Sequence, residues 1–170
     1  MSLAVADSSA LVSLGVVAES DPDPLSLFLT EYDVIVPPEV ESELQDIASY
    51  DDEHGQAATV VLGRQNSLTT RKVDLDSTFP LDDGENAAVT LANESDASLF
   101  LCDEFNQLGL IHASLANTRL VTVPTLLSIF VRTDQLSSTD ALALLDAIST
   151  TRSWTENSYV HRARSLFEQL

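Results

Sequence analysis

Residues 99–104, LFLCDE, decide the fold class of this chain. Four apolar residues are followed there by two acids, and residues 4–7, AVAD, repeat the order of apolar run and acid. Residues 34–36 and 120–123 form two more short runs that do not alternate apolar with polar positions. Such runs are typical of strands buried on both faces of a parallel sheet. Segments with helical patterns separate them, so the sequence predicts an α/β fold.

The predicted elements form a central parallel sheet of four or five strands flanked by helices. Residues 68–76 are expected to be extended, and Ser8 or Ser9 to cap the first helix. We predict helices at residues 10–19, 24–31, 38–49, 52–65, 82–93, 104–116, 125–133, 139–150 and 155–169. A length of 170 residues suits one domain. We divide it into an α/β part at residues 1–134 and a C-terminal helical extension at residues 135–170, packed on the same domain.

The charge balance is the unusual feature of the composition. Acids number 27 and lysine plus arginine 8, which gives a net charge of −19, and Lys72 is the only lysine. Residues 1–60 hold thirteen acids and neither lysine nor arginine. Such a chain repels nucleic acid in dilute buffer, so either its partner is basic or its solvent is concentrated salt. We favour salt, and therefore a salt-loving microbe as the source.

The sequence also predicts where the protein resides. We find no apolar run of the roughly 18 residues that a membrane span needs and no basic segment of a signal peptide at the start. The single cysteine, Cys102, suits a reducing compartment. We therefore expect a cytoplasmic protein.

Two aspartates follow apolar runs and mark a candidate site. Asp7 and Asp103 each stand where a predicted strand ends. Ligands of open α/β sheets bind beyond the carboxyl ends of strands. An aspartate at such a position can also serve merely as a turn residue or helix cap. Two of them on separate strands favour a functional site.

Two glutamates are expected to face the same cleft. Glu43 falls about 60° from Val40 around the predicted helix 38–49, at the edge of the apolar stripe. Glu85 shares a face with Ala88 and is expected to point inward. Each has a structural alternative: Glu43 as a residue at the helix boundary, and Glu85 as the partner of a helix cap. Four acids in one cleft repel one another, and hard divalent cations such as Mg²⁺ or Mn²⁺ would relieve that repulsion. Such cations can activate a water molecule for the cleavage of a phosphodiester bond.

Four stretches in this order resemble the motifs of PIN-domain proteins. They are residues 7–12 (DSSALV), 36–44 (VPPEVESEL), 84–92 (GENAAVTLA) and 99–104 (LFLCDE). The resemblance covers roughly residues 4–134, and it rests on order and spacing because each motif alone is weak. It implies a three-layer PIN-like fold with an acidic, metal-dependent ribonuclease site. Many members of this family are toxins of VapBC-type toxin–antitoxin pairs.

The resemblance assigns the site residues. The catalytic, metal-binding acids that it implies are Asp7, Glu43, Glu85 and Asp103. It makes Ser9 the residue that orients the first acid, and it makes Glu104 and Thr125 supporting candidates. Pro124 stands where one PIN subgroup has glycine before that threonine, and residues 106–112 supply neither the arginine nor the lysine expected there.

These observations lead to a metal-dependent endoribonuclease as the expected function, with Mg²⁺ or Mn²⁺ as cofactor and RNA as substrate. An antitoxin protein and a second copy of the chain are the expected partners. The alternative is a PIN-like module that binds nucleic acid or protein with little catalysis; a metal-dependent phosphatase is a third reading. No RNA-binding residues are assigned. The arginine- and aromatic-containing residues 152–170 are expected to pack on the body or form an interface, and stacking on single-stranded RNA is the alternative.

Overall fold

The computed structural model describes residues 1–169 and contains a five-stranded sheet in which every strand pair is parallel. The strands are Ser2–Ala6 (β1), Tyr32–Val36 (β2), Leu68–Thr70 (β3), Leu99–Leu101 (β4) and Arg119–Val121 (β5). Their order across the sheet is β3-β2-β1-β4-β5. The predicted α/β fold with a parallel sheet flanked by helices is confirmed. β1 lies at the centre with β2 and β4 on either side, which explains why its apolar residues do not alternate with polar ones.

Helices connect the strands and cover the sheet. They are Ser8–Val16 (α1), Pro24–Glu31 (α2), Pro38–Ala48 (α3), Glu53–Leu62 (α4), Asp83–Ser95 (α5), Leu108–Ser114 (α6), Val123–Arg132 (α7), Ser138–Arg152 (α8) and Ser158–Glu168 (α9). Short 3-10 turns lie at Gln65–Ser67 and Phe105–Gln107. Within residues 1–169, no helix is long and apolar enough to cross a membrane.

Helix α1 is the most deeply buried connection, with residues Ser8 to Gly15 all inside the molecule. It packs against α4 at Gly15, where an added Cβ would lie 2.5 Å from the backbone oxygen of Ala57. Only glycine therefore permits this close crossing. Because α1 starts directly after β1, its first turn is held rigidly at the carboxyl edge of the sheet.

Several predicted boundaries are wrong, among them the end of α1 at Val16 and the start of α9 at Ser158, and three of the errors have a clear local cause. Ser8 and Ser9 do not cap α1, since the helix already begins at Ser8; Asp7 stands at the N-cap position, but its side chain makes no capping hydrogen bond. The helix predicted at 104–116 begins only at Leu108. The thiol of Cys102 accepts a hydrogen bond from the amide of Glu104 and holds the turn before this helix. The last predicted strand ends at Val121, since Pro124 lies in the first turn of α7.

The C-terminal helices pack on the α/β part. Helix α8 contacts α1, α7 and α9. Trp154, in the turn between α8 and α9, is 7% exposed and lies edge-on against the ring of Phe105 at 5.0 Å between centroids. The turn after α8 is thereby fixed next to the chain that follows β4. The predicted division at residues 134 and 135 stays a prediction.

Candidate active site

Asp7 and Asp103 lie together at the carboxyl edge of the sheet. Asp7 directly follows β1, and Asp103 lies two residues beyond the neighbouring strand β4. The amide of Asp7 donates to the backbone oxygen of Leu101 at 2.9 Å, which continues the pairing of the two strands past their ends. Both aspartates are almost fully buried. Their position is the one at which open parallel sheets bind ligands.

The hydroxyl of Ser9 connects the two aspartates. It donates to Oδ2 of Asp7 at 3.0 Å and accepts the backbone amide of Asp103 at 3.0 Å. Ser9 lies in the first turn of α1, the helix that follows β1. This helix therefore holds Asp103, the acid that follows the neighbouring strand β4. A hydroxyl can donate one hydrogen bond while accepting another, which suits it to this bridging position.

The carboxylate of Asp103 is held at only one of its two oxygens. Its Oδ1 accepts the amide of Val123, the first residue of α7, at 2.8 Å. Its Oδ2 is buried; the hydroxyl of Ser13 lies close enough to lower the pKa of Asp103, but it donates to the backbone oxygen of Ser9, so Oδ2 has no hydrogen-bond partner in the part of the chain that the structure describes. A buried carboxylate oxygen without a partner is costly unless it binds a proton or a cation.

Glu43 reaches the same place from α3. Its Oε2 accepts the hydroxyl of Ser8, the neighbour of Asp7, at 3.2 Å. Its Oε1 is buried without a hydrogen-bond partner among residues 1–169 and lies against Gly84, where an added Cβ would stand only 1.8 Å away. Glu43 therefore lies between the first turn of α1 and the first turn of α5.

Glu85 follows Gly84 in the first turn of α5 and is 8% exposed. The side chain of Asp82 caps this helix by accepting the amide of Glu85 at 2.8 Å. The reverse bond, from the Asp82 amide to the Glu85 carboxylate, is absent from the described residues. Glu85 is therefore a partner of the helix cap only through its backbone amide. Its carboxylate takes no part in the cap.

Burial and mutual repulsion raise the pKa of these acids. Burial raises the pKa of Glu43, Glu85 and Asp103 to about 7 in each case. The negative charge of Asp7 contributes to all three shifts, and that of Asp82 contributes to the shifts of both glutamates. Burial raises the pKa of Asp7 as well. The acids therefore behave as one repelling cluster, in which protons or cations relieve the repulsion.

The supporting candidates differ in their distance from this cluster. Glu104 directly follows Asp103 and is half-buried, and burial together with the charge of Asp7 raises its pKa. Thr125 lies in the first turn of α7, where its amide and its hydroxyl both contact the hydroxyl of Thr122. The structure thus brings Glu104 to the acids and gives Thr125 a contact with its own helix cap.

Arg152 is a functional candidate to which sequence reasoning assigned no individual role. Its guanidinium, at the end of α8, donates to the backbone oxygen of Ser9 at 3.5 Å. Its positive charge lowers the pKa of both Asp103 and Glu104. Residues 106–112 contain no lysine or arginine, and the positive charge beside the cluster comes from the end of α8. The signal was present in the arginine-containing composition of residues 152–170, but the contact depends on how α8 packs.

The donors fit a hard divalent cation by their chemistry. Within residues 1–169, no group of three or more acidic, histidine or cysteine side chains already has the arrangement of a metal-coordination sphere. Asp103 Oδ2 and Glu43 Oε1 are nevertheless buried carboxylate oxygens without partners. Carboxylate oxygens are the ligands that Mg²⁺ and Mn²⁺ prefer, so the residues present fit such an ion by their chemistry.

Comparison with known families agrees with this geometry. A family model, DUF3368, described as a PIN domain, matches residues 3–169. The chain belongs to the PIN-domain family. The match also includes helices α8 and α9, beyond the residues 4–134 on which the resemblance in the sequence was based. A search of curated proteins found no match. PIN domains are generally nucleases, and they typically use divalent metals.

Proposed function

We propose that this PIN domain is a metal-dependent endoribonuclease that hydrolyses phosphodiester bonds of RNA with Mg²⁺ or Mn²⁺. The observation that supports the proposal is the pair Asp7 and Asp103, which Ser9 joins across neighbouring strands while Oδ2 of Asp103 has no partner among the described residues. Most buried carboxylate oxygens are hydrogen-bonded, so an unpartnered one beside other acids favours a bound cation over a purely structural role.

In this proposal the acids act together. Asp7 and Asp103 would hold a divalent cation at the carboxyl edge of the sheet, and Glu43 and Glu85 would approach it from α3 and α5. When bound, such a cation would supply Lewis-acid stabilisation of the charge that develops on the phosphoryl group during cleavage. Because Glu43, Glu85 and Asp103 have a pKa of about 7, they carry protons near neutral pH until a cation displaces them.

The test is a cleavage assay on structured and unstructured RNA in molar KCl, with Mg²⁺ or Mn²⁺ against EDTA. Asp7→Asn and Asp103→Asn keep the size of each side chain and remove its charge. We expect each to lower cleavage by about 100-fold or more, because loss even of an outer-shell partner costs 10- to 100-fold. Asp51→Asn, at an exposed position away from the cluster, is the matched control. Full activity in both site variants would refute the mechanism.

The toxin role is a further part of this proposal. We propose that the nuclease is the toxin of a toxin–antitoxin pair, acts as a homodimer and works in the salt-rich cytoplasm of a halophilic microbe. The net charge of −19 supports the salt-rich setting, since about 1 M salt screens self-repulsion beyond roughly 3 Å. A small antitoxin-like reading frame beside the gene, and a dimer by light scattering in molar KCl, are the expected findings.

One observation favours a second candidate, a PIN-like module with little catalysis. The carboxylates within residues 1–169 do not already form a coordination sphere. In this case the protein would bind RNA or a protein partner equally well in Mn²⁺ and in EDTA, with no turnover in either. Metal-stimulated cleavage that disappears in Asp7→Asn would exclude this candidate.

A further inference from the structure

An aromatic pair lies at the edge of the acidic cluster with one face open to solvent. The rings of Phe105 and Tyr159 are stacked, with centroids 5.5 Å apart and planes inclined by 19°. Trp154 supports Phe105 edge-on and is itself buried. Tyr159, in contrast, is 50% exposed. We call Phe105 and Tyr159 the aromatic ledge: Trp154 anchors it, and Tyr159 presents its outer surface.

The ledge is attached directly to the candidate active site. Phe105 comes two residues after Asp103, and its amide donates to the backbone oxygen of Asp103 at 2.9 Å. On the other side, Trp154 comes two residues after Arg152, which contacts the backbone of Ser9. The segment that contains Phe105 therefore also supplies an acid to the cluster, and the segment that contains the anchor Trp154 also supplies Arg152.

Positive charge is concentrated beside the ledge in an otherwise acidic chain. Arg162 follows Tyr159 by three residues in α9, so the two side chains share a face of the helix. Arg162 is exposed and takes part in no ion pair within residues 1–169, whereas its neighbour Arg164 pairs with Asp146. An exposed aromatic ring with a neighbouring unpaired arginine is the combination that binds single-stranded nucleic acid.

Packing alone does not account for this arrangement. Trp154 already closes the core at the turn between α8 and α9, so the expectation that this segment packs on the body is satisfied without Tyr159. The tyrosine hydroxyl has no hydrogen-bond partner among residues 1–169, and half of the side chain faces water. What distinguishes Tyr159 from other exposed aromatic residues is that it stacks on a second ring and lies beside an exposed arginine, which together form a surface on which a base can stack.

We propose that the aromatic ledge binds an unpaired base of single-stranded RNA next to the phosphodiester at the acidic cluster, with Arg162 and Arg152 facing the adjoining phosphates. This proposal rests on the proposed function and specifies its substrate class. Bases inside an RNA duplex are stacked on each other and cannot reach a protein ring, so the ledge selects unpaired strands.

The test is a binding assay in EDTA, where cleavage is suppressed. The probe is a single-stranded RNA oligonucleotide carrying 2-aminopurine, whose fluorescence falls when the base stacks. Tyr159→Leu keeps apolar cover on Phe105 but removes the ring, and we expect binding to weaken by about 5-fold or more, the lower limit for loss of one stacked base. Tyr159→Phe should retain the binding and the quenching.

Two controls make the result specific to the ledge. Tyr50→Leu replaces a tyrosine that is 57% exposed and lies outside the ledge, and it should leave the Kd unchanged. A duplex of the same sequence should bind more weakly and should not respond to Tyr159→Leu. Thermal unfolding establishes that each variant is folded, and Tyr159→Phe carries the quenching test should Tyr159→Leu lose its structure.

The outcomes distinguish the ledge from the nuclease. Three results would overturn the proposal for the ledge. They are unchanged binding in folded Tyr159→Leu, absence of quenching with both the wild type and Tyr159→Phe, and equal binding of duplex and single strand. Metal-dependent cleavage in any of these cases would leave the proposed function intact. Ledge-dependent binding without cleavage would instead support the ledge and contradict the nuclease.

Discussion

Gly84→Ala offers a test that separates the candidate site from the stability of the fold. Gly84 is the second residue of α5, and its backbone is helical, so alanine fits without strain in φ. An added Cβ would lie 1.8 Å from Oε1 of Glu43 and 2.7 Å from its Cδ. The three nearest atoms to that Cβ all belong to the carboxyl group of Glu43, so the substitution acts on this side chain.

The size of the effect follows from these distances. Ordinary van der Waals contact begins at about 3.4 Å, so the carboxylate of Glu43 must move by roughly 1.5 Å. A misplacement of about 1 Å at a reacting centre can lower the rate by about 100-fold. Stability should change little, because alanine for glycine contributes about 0.4–1 kcal/mol and a displaced rotamer costs about 0.5–1.5 kcal/mol. We therefore expect a 10- to 100-fold loss of kcat/KM, with a free energy of unfolding within about 1 kcal/mol of the wild type.

Gly109→Ala is the matched control for this experiment. Gly109 is likewise the second residue of its helix, α6, and an added Cβ there would meet nothing within 4 Å. We compare three properties of the two variants: RNA cleavage in molar KCl with Mn²⁺, Mn²⁺ affinity by calorimetry, and unfolding by urea in EDTA. Gly109→Ala should keep full activity and Mn²⁺ affinity.

One result would refute the reasoning. If Gly84→Ala cleaves RNA and binds Mn²⁺ within about threefold of the wild type, Glu43 is not required where the structure places it. A loss of activity with equal loss in Gly109→Ala would likewise contradict the role of Glu43, because the effect would then not depend on contact with its carboxylate.

Three more predictions concern the acids and their neighbours. Ser9→Ala should lower the free energy of unfolding in urea by about 1–3 kcal/mol, because the buried amide of Asp103 loses its acceptor; an unchanged value would show that another group replaces the hydroxyl. Arg152→Gln should raise the pH at which Mn²⁺ binding is half-maximal, since the charge of Arg152 lowers the pKa of Asp103, and Arg152→Lys should shift it less; identical pH profiles would contradict the coupling. The pKa of Glu43, Glu85 and Asp103 is about 7 in the folded protein and near 4 in the unfolded chain, so the native state binds more protons between these pH values. The free energy of unfolding in EDTA should therefore fall as pH rises from about 4 to 7. Mn²⁺ should then raise Tm more at pH 8 than at pH 5, and an equal increase at both pH values would argue against binding to these acids.

The sequence was sufficient for the parts of the fold that depend on local pattern. The buried residues of β1, β2 and β4 are all apolar because these strands lie inside the sheet, and helix α2 begins at Pro24 and ends at Glu31 as predicted. The boundaries that were wrong depend on contacts across the chain. The serines at the start of α1 resemble helix caps in sequence, but their hydroxyls bind Glu43 and Asp7 instead.

The site was predictable to a similar extent. Asp7 and Asp103 could be found because each follows an apolar run, and the structure joins them through Ser9. The close approach of Glu43 to Gly84 and the arrival of Arg152 could not be found in this way. Both depend on the angle at which one helix packs against another, and the hydrophobic periodicity of a single segment does not reveal that angle.

Cys102 gives the protein a chemical reporter of its own. The thiol is the only one in the sequence; it is fully buried and lies 3.6 Å from Oδ2 of Asp7 and 3.4 Å from the amide of Glu104. Burial raises the pKa of the Cys102 thiol, so it resists alkylation while the fold is closed. The alkylation rate in native buffer therefore measures how often the carboxyl ends of β1 and β4 separate. Saturating Mn²⁺ should slow that rate if the cation joins the two strands, so a single modified sulfur can reveal metal binding even when no RNA is cleaved.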